Sequence, residues 1–150
     1  MEDIETLFQK HKDDVYRLAL SYTRSVEEAE DVCQTVFLKA IGAAVQPGKE
    51  RAWLMQVTAN QCRNLLRSAW WKKTRPLEEA QIPISAEFRD VFRQVMSLPP
   101  KYRVVIYLRY YEQYSTKEIS SLLRISQSAV TTRLSRAREM LRPMLEEEML

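Results

Sequence analysis

Apolar side chains recur every three to four positions along almost the whole chain, and no stretch alternates with the two-residue rhythm of a strand. The pattern predicts an all-α protein. Ile4, Leu7 and Phe8 open an amphipathic helix that Val15, Leu18, Ala19 and Tyr22 continue. Ser25 is placed to cap a second helix, with Glu28 three residues on as the other half of a capping box. That helix runs through Val32, Val36, Phe37 and Ala40 and is expected to stop near Gly42; Pro47 and Gly48 mark the following loop, which reaches about Lys49. A third helix follows, with Trp53, Leu54, Val57, Leu65 and Leu66 on its expected apolar side.

From Lys72 to Pro83 the helical rhythm stops, and the segment is polar and bracketed by prolines, as a linker would be. A second helical unit is expected from Ser85, with Phe88, Val91, Phe92, Val95 and Met96 as its first stripe and Leu98-Pro99-Pro100 as its break. Lys101 to Tyr111 reads as the next helix and Glu112 to Ser115 as a turn. Ser115 and Glu118 then form a second capping box at the start of Thr116. Ile119, Leu122, Leu123, Ile125, Val130 and Leu134 are spaced to hold two helices at an angle about one small core, a helix-turn-helix. Thr131, Thr132, Ser135 and Arg136 are left on the far face, where hydroxyls and guanidinium groups can meet base edges and phosphates in a major groove. An ordinary helical hairpin with a solvated basic face is the plainer alternative.

Composition narrows the function. The chain has 150 residues, enough for one domain or two small ones, and only 2 Gly. It has no apolar run of about 18 residues and no signal-peptide pattern, so a cytoplasmic location is expected. With a single histidine, His11, no CxxC and no Gly-rich phosphate loop, neither a metal nor a cofactor is expected, and no small-molecule substrate or catalytic constellation is indicated. Cys33 and Cys62 are expected to be buried thiols. Charge is unevenly spread: residues 1–50 carry 6 Lys/Arg against 10 Asp/Glu, residues 51–75 carry 6 against none, and residues 116–142 carry 6 against 2. Two basic stretches, each beside aromatic or hydroxyl groups, suit a polyanion.

Two further groupings carry candidate chemistry. Asp31, Gln34 and Phe37 are three residues apart on the second helix. They are either a charged rim beside a core residue or a docking patch of charge-assisted hydrogen bonds around an aromatic anchor. On and after the third helix, Trp53, Trp70 and Trp71 accompany Arg51, Asn60, Arg63, Asn64, Arg67, Lys72 and Lys73. Either the tryptophans are core and the cations solvated, or the set neutralises phosphates and stacks unpaired bases, at about 1–3 kcal/mol per base.

In this order the parts resemble the small bacterial sigma factors of the extracytoplasmic-function (ECF) group. Glu30-Asp-Val-Cys-Gln-Thr-Val-Phe-Leu-Lys-Ala is similar to that family's polymerase-docking helix, and Ala52-Trp-Leu-Met-Gln-Val-Thr-Ala-Asn to its promoter-melting and −10-reading helix. Leu98-Pro-Pro-Lys-Tyr-Arg through Arg136-Ala-Arg-Glu-Met-Leu is similar to its −35-reading domain. The resemblance implies two small helical domains joined by a flexible linker: 1–72 (region 2), 73–83 (linker) and 84–150 (region 4). It implies that Asp31, Gln34 and Phe37 contact core RNA polymerase, and that Trp53, Asn60, Arg63, Asn64 and Arg67 bind and help melt the −10 DNA. A flipped base would sit under the loop Ala44 to Lys49. Thr131, Thr132, Arg133, Ser135 and Arg136 would bind the −35 DNA, and an anti-sigma factor, often membrane-bound in this family, would hold the chain inactive.

The chain also departs from the family pattern. Thr35 follows Gln34 where an acid is common, the −10 loop is shorter by about three residues on pattern spacing, Arg124 occupies the turn usually given to Gly, and Thr131 stands where a basic residue is common. A duplex-binding helix-turn-helix regulator without polymerase docking is the competing reading.

Overall fold

A computed structural model describes residues 3–67 and 92–149, with side chains in the second stretch as far as residue 143. Among the described residues the secondary structure is entirely helical. The chain divides into two compact units, Met1–Glu78 and Glu79–Leu150. The expected linker, Trp70, Trp71, Lys72, Lys73, Ser85, Phe88 and Val91 lie outside the described residues.

The first unit is a bundle of α1 (Ile4–Thr23), α2 (Val26–Ile41) and α3 (Glu50–Arg67). Asp3 caps α1, its carboxylate accepting the Thr6 N–H at 2.8 Å. Arg24 ends the helix in the left-handed region at φ 58°, its N–H donating to the Leu20 carbonyl. Only Arg24 and Ser25 separate α1 from α2, so the two helices run antiparallel, with Phe8 near the start of one meeting Phe37 near the end of the other, edge to face at 5.0 Å.

Ser25 accepts the Glu28 N–H at 3.3 Å, as its spacing predicts, but the other half of the expected capping box is replaced: the Ser25 N–H goes to the Thr23 hydroxyl at 3.4 Å rather than to the Glu28 carboxylate. α1 and α2 bury Leu7, Val15, Leu18, Ala19, Tyr22, Val32, Cys33, Val36 and Ala40. Of the stripe expected on α3 only Leu54 is fully buried; the rest of the buried face is Met55, Thr58, Ala59 and Cys62. Trp53, Val57, Leu65 and Leu66 are only half-buried. Thr58 is tolerated at zero exposure because its hydroxyl donates to the Leu54 carbonyl at 2.7 Å.

The second unit begins, among the described residues, with α4 (residues 92–96), followed by α5 (Pro100–Ile106), α6 (Thr116–Leu123) and α7 (Gln127–Met149). Pro99 and Pro100 break the chain as expected, and Pro100 sits in the first turn of α5, where a missing N–H costs nothing. The expected helix from Lys101 to Tyr111 is not uniform: α5 gives way to a π-turn over Tyr107–Tyr111, with the Glu112 N–H reaching back five residues to the Tyr107 carbonyl at 3.2 Å.

The Ser115–Glu118 capping box is present in both directions, at 3.1 and 3.0 Å. Arg124 turns the chain at φ 57° and ψ 44°, in the left-handed region usually given to glycine. The Ser120 hydroxyl donates across this turn to the Ile125 carbonyl at 2.5 Å. Ile119, Leu122, Leu123, Val130, Leu134, Ala137 and Leu141 form the core between α6 and α7, with Ile125 half-buried at its edge.

Candidate nucleic-acid and docking surfaces

α7 presents the hydroxyl and arginine face that its sequence pattern predicts. Val130, Leu134, Ala137 and Leu141 recur at helical spacing and point inward. That leaves Thr131, Thr132, Ser135 and Arg136 exposed; Arg133 is half-buried on the flank. Ser126 caps the helix, accepting the Ala129 N–H at 3.0 Å, and Gln127 and Ser128 are exposed in the first turn. Those two belong to the same exposed end of the helix and were not among the residues expected to bind DNA; an amide and a hydroxyl directly after a cap were the available signal. The Thr131 hydroxyl donates to the Gln127 carbonyl at 3.0 Å, which leaves its lone pairs and methyl, rather than its proton, on the exposed face.

On α3, the residues at positions 53, 60, 64 and 67 share the side opposite the buried stripe. The structure therefore brings Trp53, Asn60, Asn64 and Arg67 onto one face, Trp53 and Asn60 half-buried and the other two exposed. Arg63 lies beside them, half-buried, and its guanidinium donates to the Asn60 side-chain oxygen. Arg51 does not join this face. It turns toward α1 and donates to Asp14 at 3.0 Å, and Asp14 also holds Arg17 at 2.6 Å. In the loop before α3, Gly48 adopts φ 85°, and its N–H donates to the Glu50 carboxylate at 3.1 Å. The Glu50 N–H and this Gly48 N–H hold that carboxyl below its usual range.

The α2 grouping is rearranged. Asp31 and Gln34 are exposed, as expected, but Phe37 is 5% exposed and packs on Phe8, so it is no surface anchor. The exposed apolar groups are Leu38 at 67% and Ile41 at 61%. Asp31, Gln34, Leu38 and Ile41 fall at i, i+3, i+7 and i+10, one continuous stripe. The spacing of three from Asp31 through Gln34 drifts inward by the time it reaches Phe37; the spacing of four from Gln34 stays on the surface. Lys39 beside it is tied to Gln61 of α3 at 2.9 Å.

Both units match known families. The Sigma-70 region 2 family matches residues 7–72, and the Sigma-70, region 4 family matches residues 88–141. The ECF RNA polymerase sigma factor SigM of Bacillus subtilis is 30% identical over 153 residues, covering 93% of this chain and 93% of that protein. The RNA polymerase sigma factor SigV of the same organism is 28% identical over 153 residues, covering 95% of this chain and 91% of its own length. Among solved structures, the sigma factor RpoE in complex with the anti-sigma factor NepR from Bartonella quintana shares the fold, with a TM-score of 0.69 at 20% identity over 97% of this chain and 98% of that one. The chain belongs to the RNA polymerase sigma factors, within their ECF group.

Among the described residues, no helix is long and apolar enough to cross a membrane.

Proposed function

We propose that the chain is a dissociable, non-catalytic subunit that carries core RNA polymerase to particular promoters in the cytoplasm and helps open them. Its working parts are residues 1–72 and 84–150, joined by 73–83. The observation that carries this reading is the pairing of two different exposed surfaces with two matched family regions: an aromatic-amide-cation face on α3 and a hydroxyl-arginine face on α7.

In this reading the α2 stripe docks on the polymerase. Asp31 and Gln34 accept and donate hydrogen bonds, and Leu38 and Ile41 supply the apolar contact in place of Phe37, which stiffens the helix from within. On α3, Trp53 stacks an unpaired −10 base while Asn60 and Asn64 reach base edges and Arg63 and Arg67 neutralise phosphates. Binding one strand this way offsets the cost of unpairing the duplex, so melting needs no bond-making chemistry. Thr132, Ser135 and Arg136 read the −35 major groove, with Thr131 and Arg133 at its sides. An anti-sigma protein holds the chain inactive until it is needed.

The test is reconstitution. Mixed with bacterial core polymerase, the chain should form open complexes on a subset of promoters. Replacing Asp31 and Gln34 together should abolish polymerase binding and leave isolated duplex affinity unchanged; normal recruitment by that double variant would refute the docking assignment. Trp53→Ala should reduce strand opening more than closed-complex affinity. Equal losses in both would count against strand capture.

A further inference from the structure

Glu50 is the only acid between Asp31 and Glu78, a span that holds eight lysines and arginines. A carboxylate among cations on a face that meets DNA repels phosphate and weakens binding unless it has another task. This one has an internal task. Gln46 to Lys49 form a β-turn, closed by the Lys49 N–H donating to the Gln46 carbonyl at 3.0 Å. Pro47 and Gly48 fill its two central places, Gly48 at φ 85°, which is the arrangement of a type II turn. The turn leaves the Gly48 N–H without a use, and the Glu50 carboxylate reaches back two residues to accept it at 3.1 Å. The same carboxylate takes the Glu50 N–H at the start of α3.

That clasp joins the turn to the helix. The carbonyl of Lys49, the last residue of the turn, accepts the Trp53 N–H at 3.0 Å, so turn and helix share one hydrogen-bonded frame. One residue after Glu50, Arg51 anchors the start of α3 to Asp14 of α1 at 3.0 Å. Gln46 and Lys49 are exposed on this frame, an amide and a cation just ahead of Trp53 in the chain. We propose that Glu50 is a positioning residue for promoter reading: by closing the 46–49 turn in the free protein, it presents Gln46 and Lys49 to the displaced −10 strand in one arrangement beside Trp53. This rests on the reading of α3 as the strand-binding helix. A loop that ordered only on DNA would lose conformational freedom at that moment, and affinity with it; a turn already closed does not. Only a base that suits the fixed arrangement gains from it, so the clasp sharpens base choice without adding a contact.

The experiment uses the full chain bound to bacterial core polymerase. Its probe is a forked template, duplex upstream and single-stranded through the −10 segment, that the wild-type complex selects from a randomised pool. Each single-stranded position is then varied through the four bases. Glu50→Ala should cut the preference for the selected base by about three- to tenfold at one or two adjacent positions, the size of one net hydrogen bond, and leave −35 preferences unchanged. Glu50→Gln, which keeps an oxygen to accept the Gly48 N–H, should restore most of it. Gly48→Ala reaches the turn with Glu50 intact: nothing lies within 4 Å of the added Cβ, so it acts through strain at positive φ alone, and it should give the same loss. The two changes together should lose no more than either alone. Thermal melting checks that each variant is folded. Wild-type base preference in folded Glu50→Ala or Gly48→Ala would overturn the proposal. So would an equal loss on every template, the mark of a weakened helix start, or Glu50→Gln behaving as Glu50→Ala, the mark of charge alone. A wild-type complex indifferent to every single-stranded base would overturn the α3 reading itself, a result separable from failure of the variants.

Discussion

The Arg103 guanidinium donates to the Leu98 carbonyl at 2.8 Å and lies 3.5 Å from the Met96 carbonyl, although the residue is only 3% exposed. The reason is local. A helical carbonyl at Met96 would take its hydrogen bond from the N–H three or four residues on, and those residues are Pro99 and Pro100, which have none. Arg103 supplies from a side chain the donor that two prolines removed. Arg103→Met should destabilise the second unit by about 2–4 kcal/mol, because it strands buried carbonyls as well as losing charged hydrogen bonds. Urea unfolding of the full chain measures this. A loss below about 1 kcal/mol would mean that water enters and replaces the donor.

Phe37 and Leu38 are neighbours with opposite expected phenotypes. Phe37→Ala removes a buried ring and should cost about 3 kcal/mol of stability. Leu38→Asp changes an exposed side chain, so stability should move by no more than about 0.5 kcal/mol while affinity for core polymerase falls at least about tenfold. Melting curves and polymerase pull-downs separate the two. Unchanged polymerase affinity in Leu38→Asp would remove the exposed apolar stripe from the docking surface.

Arg124 holds a left-handed backbone conformation without the freedom of glycine. Arg124→Gly relieves the Cβ crowding, so the midpoint of thermal unfolding should rise, by the equivalent of about 0.5–1 kcal/mol. A fall would show that the arginine side chain contributes more at this turn than its strained backbone costs.

Alkaline pH should weaken the first unit through its thiols. Burial, with lesser help from Asp13 and Glu30, pushes the Cys33 thiol from its ordinary 9.0 up to about 11, and burial pushes Cys62 higher still. The folded state keeps these protons while the unfolded state releases them from about pH 9. Stability contributed by the protonated thiols is therefore complete below pH 9 and is lost as pH rises through 11. The same burial predicts that alkylation at pH 8 requires opening of the first unit, so it should be far slower than in the unfolded chain. A Cys33→Ala, Cys62→Ala double variant should flatten the alkaline loss measured by denaturant titration.

The helices, the two caps at Ser25 and Ser115, and the outward face of α7 were legible because each depends on near neighbours: a period, a hydroxyl three residues before an acid, a Pro pair. What escaped depends on which of two adjacent residues a tertiary partner claims. Phe8 takes Phe37 inward and leaves Leu38 outside; Asp14 takes Arg51 away from the other cations of α3; Met55, Thr58 and Cys62, rather than Val57 and Leu65, meet α1 and α2. An apolar count ranks Val57 above Thr58. The Thr58 hydroxyl satisfies itself on its own helix, and a one-position difference is 100° of rotation. The buried role of Arg103 was hidden for a related reason: a cation in an amphipathic pattern reads as surface until the missing amide protons behind it are counted.

The π-turn at Tyr107–Tyr111 has a consequence for how this unit tolerates change in length. A wide turn accommodates one more residue than an α-helical turn does, so the chain here carries the equivalent of a built-in insertion. Removing a single residue from it would let the backbone close into ordinary α-geometry. The hydrophobic side chains of α5 and the residues after the excision would keep their places, and only the side chains of the wide turn itself would change register. Tyr110 would then leave Arg138 and Tyr111 would lose its stacking on Tyr107, with the fold upstream intact. Homologous chains that differ by one residue at this point should therefore differ in which aromatic group they present at the flank of α7.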